Sequence, residues 1–130
     1  MWRTKKVKTL SLLGLILIFA GFAAAQEKCF KHQGDGFDHE ITLTIKRSAV
    51  TGSFSVGCTN SEMPTRLYRF TGTISKNVIT LKFSGGAVPN AFPKSGNRMT
   101  ATLAGSGQKL VVKLSNGSRQ VYSATFDACS

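Results

Sequence analysis

The chain has 130 residues, 17 basic against six acidic, and three cysteines. That length allows one modest core and excludes a second domain of ordinary size. A formal charge of +11 points towards anionic partners and says nothing about fold.

Residues 1–25 read as a cleaved secretory signal. Arg3, Lys5, Lys6 and Lys8 form a positive n-region, residues 10–22 an apolar run, and Ala23, Ala24 and Ala25 a small-residue cleavage site before Gln26. The apolar run is shorter than the ~20 residues that span a bilayer, so no transmembrane span is expected after cleavage. Cleavage would leave one domain over residues 26–130, with a formal charge of about +7 and no tryptophan, since Trp2 lies in the signal. The expected location is secreted or periplasmic, and four basic residues in a short n-region lean towards a bacterial source.

From there on, apolar and polar residues alternate with period two and no helical period appears. Residues 28–33 are the first candidate strand, joined through Gly34, Asp35 and Gly36 to a strand starting near Phe37. Residues 40–47 place Ile41, Leu43 and Ile45 inward, and residues 50–56 return with Val50, Gly52, Phe54 and Val56. Residues 66–74 turn Tyr68, Phe70 and Ile74 inward, and residues 78–83 answer with Ile79, Leu81 and Phe83. The third hairpin pairs 98–103 with 108–114 across Gly105, Ser106 and Gly107. An Asn116-Gly117 turn, a strong hairpin signal, leads to the last strand, residues 119–126. Pro64, Pro89 and Pro93 fall between strands, where a missing donor costs nothing. One connection, residues 84–97, is long and irregular. Val88 and Phe92 within it would either lid a cavity or plug a solid core, and a small barrel is usually filled by side chains.

An oxidising compartment favours one disulfide and leaves one sulfur over. If residues 28–33 form a strand, an up-and-down order puts Cys29 and Cys129 at the same end of the sheet and Cys58 at the other. The expected bridge is therefore Cys29–Cys129, with Cys58 free or paired between chains. Cys29–Cys58 becomes the better pairing if residues 28–33 are only a loop.

Chemistry-bearing groups are sparse. His32, Asp35, Asp38, His39 and Glu40 form the densest polar cluster, but their spacing matches no specific metal motif, and a solvated hairpin explains them. There is no Gly-x-Ser-x-Gly elbow, Cys-x-x-Cys pair or phosphate-cradling glycine loop. No enzyme activity, metal or cofactor is expected. The basic residues carry more. Lys46, Arg69, Lys82, Lys109 and Lys113 all take outward positions, interleaved with Thr42, Thr44, Thr71, Thr73 and Thr80. Such a face suits phosphate or sulfate groups, and the competing reading is a merely solubilising surface. No aromatic residues interleave with these charges, which disfavours nucleic acid. The expected partner is an anionic envelope lipid, wall polymer or glycan, or an extracytoplasmic protein.

The hairpin meander with its Thr51-Gly52-Ser53-Phe54 segment resembles small calycin-type barrels, the group of lipocalins and avidins. That resemblance implies an up-and-down barrel of seven or eight strands, a sandwich being the alternative, and a small-molecule carrier as the second functional reading. Avidins line their pocket with tryptophans, and none remains here. Ser95-Gly96-Asn97-Arg98 is similar to the Ser-Gly-x-x-Tyr motif of periplasmic inhibitors of C-type lysozyme, except that Met99 stands where tyrosine belongs. The basic charge also opposes docking on a basic lysozyme.

Overall fold

The computed structural model describes residues 24–34, 36–58, 65–92 and 94–130, with Cys58 described by its backbone alone. The proposed signal segment, apart from Ala24 and Ala25, lies outside the described residues, as do Asp35, Pro64 and Pro93. Eight strands follow one another in an up-and-down order: β1 Gln26–Gly34, β2 Phe37–Lys46, β3 Ala49–Cys58, β4 Arg66–Ser75, β5 Val78–Phe83, β6 Arg98–Ala104, β7 Lys109–Asn116 and β8 Arg119–Ala128. Each pairs antiparallel with its neighbour and β8 pairs with β1, so the sheet is a closed barrel and not a sandwich.

Strict alternation drives this closure. Ile41, Phe54, Ile79, Met99, Leu110, Val112, Leu114 and Phe126 are fully buried at the expected inward positions. The intervening threonines, serines and lysines face out, so one wall separates a filled apolar interior from a polar exterior. Gly52 makes room for that filling. A Cβ at this position would strike the Thr42 carbonyl and come within 2.7 Å of Cζ of Phe70, whose ring occupies the space.

Two turns show how local chemistry sets register. Lys76 and Asn77 both take positive φ (50° and 65°), the type I′ pattern that suits the twist of a two-residue hairpin. In the last hairpin Asn116 pairs with Arg119, so the turn residues are Gly117 and Ser118. Only Gly117 is at positive φ (65°), the type II′ pattern. The turn is thus Gly-Ser and not Asn-Gly, because glycine at the first turn position alone satisfies the geometry. A register shift at Leu114/Ser115 accompanies it.

The β1–β8 seam is the thinnest junction. It carries two register pairs, Phe30↔Ala128 and Lys31↔Asp127, against four or more at every other junction. Other bonds reinforce it. The Cys129 N–H donates to the Cys29 carbonyl (2.9 Å), and the two residues form a disulfide with a Cα–Cα distance of 5.4 Å. His32 Nδ1 donates to the Thr125 carbonyl (3.1 Å). On the outer face, Lys109, Asp127, Lys31 and Glu40 follow one another across four adjacent strands. Lys109 bonds Asp127 at 2.9 Å and Lys31 approaches Glu40 at 3.8 Å. This alternating row of charges crosses the seam.

Turns 47–48, 76–77 and 105–107 and the C-terminus lie at one end of the barrel. β1, β3, β5 and β7 end at the other, called here the loop end, where the described segments 84–92, 94–97 and 117–118 also lie.

Candidate anion-binding face and the plugged loop end

Register places the outward basic residues relative to one another. One row runs Lys46, Ala49, Thr73, Thr80, Thr100, Lys113 and Ser123 across β2 to β8. Lys82 lies two residues beyond Thr80 on β5, and Arg98 two residues before Thr100 on β6. Strands about 4.8 Å apart and a rise of about 3.4 Å per residue put Lys82, Arg98 and Lys113 around the Thr80–Thr100 pair, within about 12 Å of one another. All three cations are exposed, and Thr80 is exposed between them. From Thr65 to Phe126 every charged residue is basic. Strands β4 to β7 therefore present an outer face with no carboxylate of their own.

The structure distributes the sequence-proposed cations unevenly. Lys82 and Lys113 belong to this cluster, and Arg69 sits on β4, where the Ser84 N–H reaches its carbonyl (3.0 Å). Lys46 is exposed at the far end of the same row. Lys109 is occupied by Asp127, so it contributes to the seam's charge row more than to a free positive face. Arg98 joins the cluster without a clear signal in the sequence. It opens β6 directly after an irregular loop, and its outward phase is visible only by counting back from Thr100.

At the loop end, Val88 and Phe92 are buried and join the core cluster. Phe92 stacks on Phe54, with ring centroids 4.2 Å apart, and lies 5.8 Å from Tyr122. The described members of the polar cluster expected on an exposed hairpin divide between two faces. His32 and His39 are register partners turned inward, with ring centroids 6.0 Å apart. His39 is 2% exposed, surrounded by Phe54, Phe92 and Phe126. The solvated-loop reading is thus corrected for His39. Its position shares the inward phase of Ile41, and alternation extended by two residues predicts the burial. Among the described residues no group of three His, Cys, Asp or Glu side chains could hold a metal ion. The Cys58 side chain, expected to be free or paired between chains, lies outside what is described, but the disulfide partner of Cys29 is Cys129, which removes the Cys29–Cys58 alternative.

No family model, curated protein or solved structure matches the chain. The site must therefore be read from its own chemistry. The Cys29–Cys129 bridge is consistent with an oxidising, extracytoplasmic compartment.

Proposed function

We propose that the protein is an exported, non-enzymatic binding protein that holds an anionic component of the cell envelope on the outer face of β4 to β7. The observation that carries this reading is the carboxylate-free face with Lys82, Arg98 and Lys113 grouped around Thr80 and Thr100. Ammonium and guanidinium groups supply charge to phosphate or sulfate oxygens, and the threonine hydroxyls supply neutral donors between them. A rigid sheet holds the backbone beneath these groups in register, so the ordering cost of binding is confined to the side chains. The reading sets the protein in the secreted or periplasmic space, where lipid headgroups and wall polymers bear such oxygens. The filled interior, with Phe92 stacked on Phe54 at its mouth, counts against a carrier that uses the barrel lumen.

Co-sedimentation with phosphatidylglycerol vesicles tests the lipid form of this reading, and retention on a phosphate-bearing wall polymer tests the polymer form. Binding should be strong at about 20 mM salt and weaken steeply by about 0.5 M as the Debye length contracts. Lys82→Glu combined with Lys113→Glu should lose most of it while preserving the fold. A protein retained by neither anionic matrix at low salt does not have this function.

A further inference from the structure

The outward cations of β4 to β7 form a diagonal across the sheet. Arg69 stands two residues nearer the loop end than Thr71, and Thr71 pairs with Lys82. One step past the Leu81↔Met99 pair, Lys82 and Arg98 stand opposite each other on β5 and β6. Lys113 stands two residues farther from the loop end than Ser115, the partner of Arg98. From Arg69 to Lys113 the line therefore moves four residues away from the loop end over three strand junctions. All four side chains are exposed.

Strand tilt decides whether such a diagonal climbs the barrel or circles it, and the register gives the tilt. One row of paired residues runs from Leu67 on β4 the long way round, through Lys31 and Asp127, to Ala104 on β6. A second row joins the same two strands directly, from Thr73 through Thr80 to Thr100. Leu67 lies six residues nearer the loop end than Thr73, and Ala104 lies four residues farther from it than Thr100. The register therefore slips ten residues in one circuit of eight strands, which tilts each strand by about 40°. A level path must step away from the loop end by about 1.25 residues per strand, or nearly four over three junctions. The cations take that step, so Arg69, Lys82, Arg98 and Lys113 share one level and form an arc about 20 Å long around the girth. Thr71, Thr80 and Thr100, each two residues farther from the loop end, run beside it as a line of hydroxyls.

The arc has ends. Beyond Lys113 the next strand offers Ser123, and beyond Arg69 it offers Ser53 and Ser55. Glu40, paired with Lys31, follows on β2 opposite Ser55. Shape then selects the occupant. Eight strands share the circumference, so neighbouring side chains diverge by about 45°. A flat bilayer laid over Arg98 would find Lys82 and Lys113 turned about 45° from its normal and Arg69 about 90° away, out of reach. A flexible chain can bend around the wall and meet all four. We propose that this arc binds a linear polyanion, a chain of repeated phosphate or sulfate groups that wraps across β4 to β7 with Arg69 and Lys113 at its limits. The proposal rests on the anion-binding reading above and narrows it from an envelope anion of any form to a polymer. Successive groups of one chain reach the arc at high effective concentration, so chain length sets the affinity.

Calorimetric titration of the purified protein with tripolyphosphate and with a long-chain polyphosphate tests this, and the long chain should bind at least about tenfold more tightly per phosphate. A short and a long heparin oligosaccharide repeat the comparison with sulfate, and the chemistry that shows the length dependence names the source. Arg69→Gln should weaken the long chain several-fold and lower the slope of log affinity against log salt by about 0.7. Lys76→Gln removes the same charge from an exposed turn seven residues along from Arg69, and should leave long-chain binding unchanged. On phosphatidylglycerol vesicles the two substitutions should have equal effects, because Arg69 points away from a flat surface over Arg98. Three results would overturn the arc and leave an anion-binding face standing. These are equal affinity per charged group at both lengths in both chemistries, equal losses of long-chain binding from the two substitutions, and retention on vesicles without binding of any chain. Binding to none of these probes at about 20 mM salt would remove the face as well.

Discussion

Phe92 lies almost flat against Phe54, with ring centroids 4.2 Å apart and planes 13° from parallel. Phe54 belongs to the wall and Phe92 to the long loop, so a connection between strands supplies a piece of the core. His39 meets both rings edge-on, at 5.5 Å and 6.2 Å. Stacking and burial together make this loop a structural element, although it contains no regular secondary structure.

Truncation of the plug should therefore behave as a core mutation. Phe92→Ala is expected to cost about 3 kcal/mol, a value ordinary for buried aromatic residues and large for a loop position. Urea denaturation followed by circular dichroism measures it, and the loosened mouth should also bind the dye ANS. An unchanged midpoint would mean that the loop does not close the barrel.

The disulfide should matter more than its surface position suggests. It links residues 100 apart in sequence at the junction with fewest register pairs. Chain-entropy arguments assign a loop of that length about 4–5 kcal/mol. Replacing both cysteines with serine (Cys29→Ser with Cys129→Ser) should lower stability by several kcal/mol without altering the strand order. Hydrogen exchange should then show β1 and β8 losing protection before β2 to β7. Uniform loss of protection along the chain would place the weak point elsewhere.

Much of this barrel is legible in the sequence, because period-two alternation is a direct consequence of a wall with one apolar side. Ile41, Leu43, Phe54, Phe70, Ile79 and Leu110 are all found where that pattern puts them. The strand ends are less legible. β1 begins at Gln26 and β8 runs to Ala128, beyond the expected limits, since polar residues such as Glu27 and Asp127 pair as readily as apolar ones when they face solvent. His39 reads as a loop residue when its chemistry is weighed and as a core residue when its phase is, and the phase decides. The grouping of Arg98 with Lys82 and Lys113 is not legible, as its neighbours in space come from β5 and β7.

Gly52 gives a sharp check on packing inside the wall. Gly52→Ala would place a methyl group against the Thr42 carbonyl and 2.7 Å from Cζ of Phe70, a ring that is 2% exposed and cannot swing into solvent. Overpacking of this kind is expected to cost about 1–3 kcal/mol. Gly57→Ala meets only the Thr65 hydroxyl, at 3.3 Å, and should cost less. Equal effects of the two substitutions would show that backbone entropy, and not the ring, governs both positions.

The last prediction separates two lysines on one strand. Lys109 and Lys113 both point outward from β7, yet Lys109 bonds the Asp127 carboxylate at 2.9 Å, whereas Lys113 lies opposite Thr100 and Ser123. An anion approaching Lys109 must compete with Asp127, and one approaching Lys113 meets no carboxylate on the neighbouring strands. Lys113→Ala should therefore weaken retention on anionic vesicles several-fold and flatten its salt dependence, since fewer paired charges leave less attraction for salt to screen. Lys109→Ala should leave retention nearly unchanged and alter stability by less than about 1 kcal/mol, as befits an exposed ion pair. The two variants carry the same net charge, so equal loss of binding in both would mean that overall charge alone attracts the partner and that the Thr80–Thr100 cluster has no special part in holding it.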